Sequence, residues 1–436
     1  MSVRAKKSGG ILAVIGILTS LMMGCGKNSS PTGTGGNTPG SVITVTGRVF
    51  DLNSQPVASV PVLVSGKTST NTDASGTFTV TSVTVPYDVT VIVAASQGAL
   101  MYKGLTRSDP TLVFPGTSGA VSRSATINGA VREGDFTPTQ PAGDVTRVVF
   151  GSPEALFTTT TATNGDFSLS GTWYGPTSTS GSLYALQYEV DGSNLPVANA
   201  YKGYGVRNGL VVNDASITNN LLDTLKTVNT VQLTGTLAAA SGYTLSSRRV
   251  YVRFSSTALA QLLSEGSSNT ALSYYTPSIS GANLIVSGTA GKPGVAVVTY
   301  KVGVAPNASG LAVSVPAGPE LSLPIAGATN VDTTVTFSWT AFSGGIHLVF
   351  FQSSGNPSFY VLTTGTSTTI PNLKAYGLGL PSATAYNWIV YAVSPVGSTD
   401  AAASSVNFLG LLTGPKYLTS DASLALTTPR SFTTAP

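Results

Sequence analysis

"VTGRVFDLNSQPVASVPVLV", residues 45–64, decides how this chain of 436 residues is read. It opens on an alternating run, Val45-Thr46-Gly47-Arg48-Val49, breaks into a polar stretch ending at Pro56, and resumes at Val60–Val64. Period-two alternation sets one face of a strand against a core and the other toward water. Asp51, Asn53, Ser54 and Pro56 between the runs are turn formers. The opening phrase then recurs as "INGAV" at 127–131 and "LTGTL" at 233–237. Each copy leads into a second alternating run, "VTRVVF" at 145–150 and "RVYVRF" at 249–254. The copies start 82 and 106 residues apart, which makes them domain-sized units and not solenoid repeats.

Composition agrees with short strands joined by turns. Charged residues are only 9%, too few for a typical disordered chain, hydrophobic ones are 42%, and Gly and Pro number 48 and 25. The net charge is +4, but Arg4, Lys6 and Lys7 supply most of it from the first ten residues. The remainder of the chain is close to neutral, so no electrostatic case exists for nucleic acid as a partner. One cysteine and one histidine leave no set from which a Cys/His metal site could be built.

The second half of the first unit, "TDASGTFTV" at 72–80, has a counterpart in "TNGDFSL" at 163–169. Both place a tight turn before an alternating strand, and Asn164-Gly165 reads as a type I′ hairpin. With Gly47, Val49, Asp51, Pro56, Val60, Val62, Asp73, Gly76 and Phe78, residues 42–115 resemble the carboxypeptidase regulatory-like domain, a transthyretin-like β-sandwich. That family is a non-catalytic accessory module, so the resemblance brings no active site. Toward the C-terminus "LPSATAYNWIVYAV", 380–393, resembles the fibronectin type III signature through Leu380, Thr384, Tyr386, Trp388, Val390 and Ala392. The resemblance implies that Tyr386 is a corner tyrosine, its hydroxyl returning to the backbone. Residues 403–430 exceed that module's usual length and imply an inserted loop or hairpin. "STALAQLLSEG", 256–266, reads as the one helix, with Leu259, Leu262 and Leu263 on a face.

The N-terminus reads as an export signal. Arg4, Lys6 and Lys7 precede an apolar run from Ile11 to Met23, too short to span a bilayer and of signal-peptide length. The run ends Met22-Met23-Gly24-Cys25, which resembles the lipobox of bacterial lipoproteins. The resemblance implies that Cys25 is the lipid-attachment site and the first residue of the mature chain. Several acyl chains hold where one does not, since each buried CH₂ contributes about 0.8 kcal/mol. Gly26 in place of Asp implies an outer-membrane address. Residues 26–41, "GKNSSPTGTGGNTPGS", have no aliphatic or aromatic side chain and read as a flexible tether spanning roughly 20–24 Å.

The expected fold is therefore all-β: tandem β-sandwich domains, transthyretin-like and then immunoglobulin/fibronectin III-like, after a signal peptide and flexible linker. The expected divisions are 1–24 (signal peptide), 25–41 (lipidated Cys and linker), 42–120, 121–228, 229–317 with the short helix, and 318–436 with the insertion.

Candidate chemistry is sparse. No G-x-S-x-G elbow, P-loop, dinucleotide fingerprint, H-E-x-x-H or EF-hand loop occurs. His347 sits in an alternating strand, "GGIHLVFF", and reads as a strand side chain. Asp51, Asp73 and Asp166 lie in turns, where Asp bonds its own backbone more readily than it gathers Ca²⁺. Trp173, Tyr174, Tyr201 and Tyr204 are the candidate ligand-binding residues, able to stack on sugar rings if exposed; sheet packing is the competing reading. Arg249 and Arg253 alternate with Val250, Val252 and Phe254, which reads as a solvated face open to anionic glycans or lipid head groups. The expected role is structural or adhesive, non-enzymatic and without cofactors, with the membrane as partner through Cys25 and a glycan or envelope protein as further partner. The alternative is a carbohydrate- or peptide-binding accessory module of a surface complex.

Overall fold

The computed structural model describes residues 36–115, 121–131, 142–222, 225–266, 268–405, 408 and 415–436. Cys25, the expected signal peptide and the expected linker up to residue 35 lie outside the described residues, as does "GTSGA" at 116–120.

The first module has seven strands: β1 (Val42–Phe50), β2 (Pro61–Val64), β3 (Thr70–Asn71), β4 (Thr77–Thr84), β5 (Tyr87–Val93), β6 (Gly98–Leu105) and β7 (Thr111–Val113). They form two sheets, β4-β1-β7 and β3-β2-β5-β6. β1 runs antiparallel to β4 and parallel to β7. Val45 and Val49 point inward from β1 and meet Val62, Val89 and Val91 from the other sheet. The repeated glycine has a steric reason. Gly47 lies opposite Phe78, and a Cβ there would strike the Phe78 ring.

The same course is run twice more. The second module comprises β8 (Ser122–Val131), β9 (Asp144–Gly151), β10 (Leu156–Thr160), β11 (Asp166–Tyr174), β12 (Ser178–Val190), β13 (Pro196–Asn213), β14 (Ser216–Leu222) and β15 (Lys226–Thr227). Its sheets are β11-β8-β14 and β10-β9-β12-β13-β15. The third comprises β16 (Asn229–Ala239), β17 (Thr244–Arg253), β18 (Leu259–Glu265), β19 (Ala271–Ser278), β20 (Asn283–Lys292), β21 (Val295–Val304) and β22 (Leu311–Val315). There the sheets are β19-β16-β22 and β18-β17-β20-β21. In all three, the strand carrying the repeated phrase is the centre of the small sheet, antiparallel to one neighbour and parallel to the other. Gly129 faces Phe167 and Gly235 faces Leu272 at the position of Gly47.

The fourth module comprises β23 (Leu321–Leu323), β24 (Ala328–Val331), β25 (Phe337–Trp339), β26 (Ile346–Gln352), β27 (Ser358–Thr363), β28 (Ser367–Thr368), β29 (Ala385–Ser394), α1 (Thr399–Ala402), β30 (Ala422–Thr427) and β31 (Arg430–Thr434). Phe337 is fully buried at its centre, edge-on to Phe351, Trp388 and Phe432 at 4.7–5.2 Å.

The modules are not beads on a string. β27 pairs in parallel with β6 of the first module, from Ser358↔Gly98 to Leu362↔Tyr102. β30 pairs with β21 of the third module, from Val295↔Thr427 to Tyr300↔Ala422, while its other edge holds β29. The fourth module thus stands between the first and the third, and the three share one 14-stranded sheet. The second module packs its large sheet on the third. Tyr184 stacks on Phe254 at 5.0 Å, and Tyr188 and Tyr201 join the third module's core.

Four expectations are corrected. Residues 256–266 are not helical: Phe254–Ala258 is a reverse turn and β18 follows. A bulge opposite Val250/Tyr251 puts the adjacent Leu262 and Leu263 both into the core, and this doubled leucine imitates a helical stripe. The Asn164-Gly165 turn is not type I′. Only Gly165 takes a positive φ, of 82°, in a turn closed by Gly165 N–H to Ala162 O, as Gly76 closes on Asp73. The Tyr386 hydroxyl does return to the backbone, but to Pro357 O at 2.9 Å, across the turn between β26 and β27, and not a few residues upstream as a corner tyrosine would. The tether is docked at its end: the Asn37 backbone N–H and Nδ2 both donate to Thr106 O, at 3.1 and 2.8 Å.

Candidate functional site

The four aromatic candidates are not brought together. Trp173 is 0% exposed in the second module's core, and its Nε1 donates to Pro176 O at 2.9 Å. Tyr201 is 4% exposed, packs on Tyr188 at 5.3 Å and donates its hydroxyl to Tyr275 O. Burial holds the Tyr201 hydroxyl well above its ordinary pKa of 10.0. As stacking platforms, Trp173 and Tyr201 are therefore corrected to core residues. Tyr204 is half-buried beside Tyr184 and Phe254, its pKa pushed up to about 12 by burial. Tyr174 is half-buried at the end of β11, opposite Ser122.

The turn aspartates bond their own loops. The Asp51 carboxylate accepts from the Asn53 and Gln55 N–H groups at 2.8 and 2.9 Å. Asp73 accepts from the Ser75 and Thr77 N–H groups and the Ser75 hydroxyl. These bonds, the Ser75 hydroxyl foremost, hold the Asp73 carboxyl below its usual range. Asp166 accepts from Asn164 Nδ2 at 2.7 Å. His347 is 1% exposed on β26; its Nε2 accepts from the Phe342 N–H at 3.1 Å, and burial lowers its pKa. Among the described residues no group of three His, Cys, Asp or Glu could hold a metal, and no helix is long and apolar enough to cross a membrane.

The solvated-face expectation for the β17 arginines is corrected as well. Val250, Val252 and Phe254 do face the core, but Arg253 on the opposite side is only 8% exposed. It lies beneath the segment that leads into β30, and its Nη2 donates to Pro415 O at 2.8 Å.

The length of 403–430 marked an insertion, but sequence reasoning missed what it does: the connection from β29 to β30, which overlaps it, holds the neighbouring modules. α1 begins there with Ser398 as N-cap, its hydroxyl accepting from the Ala401 N–H. The capped turn aims Asp400 at the first module. The Asp400 carboxylate accepts from Thr106 N–H at 2.9 Å, Thr106 Oγ1 at 2.5 Å and Arg107 N–H at 3.1 Å. Arg107 Nη1 donates back to Asp400 O at 2.9 Å. Ala402, Ala403 and Phe408 enter the first module's core, and the Thr111 N–H donates to Ala403 O. Farther along, Leu418 and Ala422 cover Tyr251, Ile285 and Tyr300 of the third module. The same connection grips both neighbours. Thr106, to which Asn37 is bonded, is also where the N-terminal tether arrives.

No family model matches the chain, and no curated protein does. Similar solved structures include the Bacillus anthracis TIE protein, at 9% identity over 63% of this chain, with TM-score 0.16. The match covers 50% of that chain, so this protein spans about half its length. They also include two B repeat units of the collagen binding protein of Staphylococcus aureus, at 11% identity over 80% of this chain and 92% of that one, TM-score 0.14. A Ca²⁺-stabilized adhesin of an Antarctic bacterium is similar at 11% identity, over 91% and 99% of the two chains, TM-score 0.15. Likenesses of this size carry no argument about role.

Proposed function

We propose that this chain is a bacterial envelope lipoprotein with a structural or adhesive role. Three transthyretin-like modules and one fibronectin III-like module form its head, and a lipid on Cys25 anchors it to the outer membrane. The observation that carries this reading is the double-edged pairing of the fourth module, β27 on β6 and β30 on β21. Backbone ladders at both seams resist separation of the first, fourth and third modules. A head built so transmits load between an anchor and a bound surface instead of yielding one module at a time. The docked Asn37 brings the tether into the molecule at the Thr106–Asp400 junction, where first and fourth modules meet.

The test is a comparison of cells carrying wild-type protein or Cys25→Ala. The wild type is expected in the membrane fraction, labelled by palmitate, and required for the cells' attachment to surfaces or to one another. Cys25→Ala is expected to leave that fraction unlabelled and to abolish the attachment. Retention and labelling of Cys25→Ala would refute the anchor; unchanged attachment on loss of the whole protein would refute the adhesive role.

A further inference from the structure

Two guanidinium groups stand on the outer face of the third module's large sheet without a counter-charge. Arg249, Tyr251 and Arg253 alternate on β17, so all three side chains emerge on the face away from Val250 and Val252. Across the sheet that face continues through Ser287, Ile285 and Asn283 of β20 and Tyr300 of β21. Leu418 and Ala422 roof it, leaving Tyr251 at 7% and Tyr300 at 6% exposure. Arg253 is 92% buried, from its 8% exposure, and receives one carbonyl, Pro415 O. Its Nε is buried without a partner, as are Arg249 Nε and Asn283 Oδ1. Among the described residues no carboxylate forms an ion pair with either arginine. The carboxylates nearest in sequence and register are taken: Glu265 by Arg248 at 2.6 Å, and Asp421 by Lys301 at 2.6 Å and the Val302 N–H at 2.9 Å. Burial also lowers the Arg253 pKa below its ordinary value.

An arginine stays charged in a protein, and burying it unpaired is costly. Its planar fork of donors matches a carboxylate or phosphate. Arg249 and Arg253 lie four residues apart on one strand, about 13 Å along the backbone, and each side chain reaches roughly half that distance. Tyr251 fills the floor between them. We propose that Arg249 and Arg253 form an anion-binding site beside Leu418, which takes an oxyanion group, either the carboxylate of an acidic sugar or a phosphate. The site goes beyond the envelope role and stands or falls without it.

The experiment is thermal unfolding of the full-length protein with three probes: a galacturonate oligomer, inorganic phosphate and a neutral galactose oligomer. The wild type is expected to gain a few degrees in Tm at about ten times Kd of a charged probe, and nothing with the neutral one. A response to galacturonate assigns a carboxylated glycan, and a response to phosphate a phosphate group. Arg249→Gln and Arg253→Gln are each expected to weaken that binding at least tenfold. Arg249, which is only partly buried, supplies the variant that folds if Arg253→Gln does not. No response to either charged probe overturns the proposal, as does a response that survives in both variants. Arg253→Met gives a check without any ligand. Removing an uncompensated buried charge leaves stability unchanged or raised, so a lower Tm in probe-free buffer would make Arg253 a satisfied strut on Pro415 and overturn the site.

Discussion

Asp400→Ala tests whether the fourth module is locked to the first. The substitution removes the acceptor of three hydrogen bonds, from Thr106 N–H, Thr106 Oγ1 and Arg107 N–H, and spares the return bond from Arg107 to the Asp400 carbonyl. Bonds to an ionised acceptor contribute about 1.5–3 kcal/mol each, and a donor left unpaired costs in the same range. The junction is only part-buried, so water recovers much of that loss. The net cost is about 2–4 kcal/mol, localised at the seam between β6 and β27. Expressed as local opening, this is roughly a 30- to 700-fold faster amide exchange. Hydrogen exchange read by mass spectrometry on peptides covering 98–107 and 358–363 is the assay. Faster exchange is expected in both peptides together, because β6 and β27 are each other's ladder partners. Peptides from the second module's core, around Trp173, are expected to keep wild-type rates. Unchanged exchange in 98–107, or equal acceleration throughout the chain, would refute the idea of a local clamp.

Other expectations rest on single positions. Gly235→Ala places a Cβ against the Leu311 carbonyl, which is backbone and cannot step aside, so a loss of about 1–3 kcal/mol is expected in urea unfolding. Gly47→Ala meets the Phe78 ring, a side chain with some freedom, and is expected to cost less than Gly235→Ala in the same assay. Phe337→Ala opens a cavity where three aromatic rings meet and is expected to cost about 3–5 kcal/mol. His347 is held neutral by burial, with its folded pKa below the ordinary 6.5. The unfolded chain gains a proton below pH 6.5 that the folded chain refuses. The stability His347 confers is therefore full above 6.5 and declines as the pH falls, by at most about 1.4 kcal/mol per pH unit until the folded pKa is reached. His347→Gln is expected to flatten that slope between pH 7 and 5; an identical slope in wild type and variant would count against it.

The strands of the first module were legible because every cue in residues 45–80 agrees. The alternation, the Asp51 loop, Gly76 in its turn and Gly47 under Phe78 all answer to forces acting within a few residues or across one strand pair. The shared course of the second and third modules was legible only in pieces: the first strand and a second alternating run in both, with the 163–169 turn and strand added in the second, since "INGAV" and "LTGTL" preserve little besides the central glycine. The misread helix has the opposite cause. A bulge breaks period two at Leu262-Leu263, and a pattern argument has no way to tell that irregularity from a helical face. Trp173 and Tyr201 misled for a different reason: aromatic content says nothing of which side of a sheet is covered. Trp173, on β11 of the small sheet, faces the core between the second module's two sheets, and Tyr201, on its large sheet, faces the third module, because that large sheet is covered on both sides.

The seams were hidden on stricter grounds. Side-chain alternation reports the faces of a sheet, perpendicular to it, whereas a neighbouring strand is added in its plane through backbone groups that every sequence shares. "SFYVLT" in β27 and "ASLALT" in β30 alternate in the same way whether their edges are open or paired. Yet one trace of the seams does stand in the sequence. Open edges are guarded against stray pairing by charged residues, proline or bulges. β27 and β30 carry no charge, no proline and no bulge against their partners in the first and third modules. Two unguarded strands in one module are a hazard if exposed and are accounted for if both edges are covered. The fourth module's strands are written for neighbours on both sides. The anion site arises from the same closure, because seating β30 on β21 brings Leu418 and Pro415 over Arg253 and turns a face that alternation marks as solvated into a buried one.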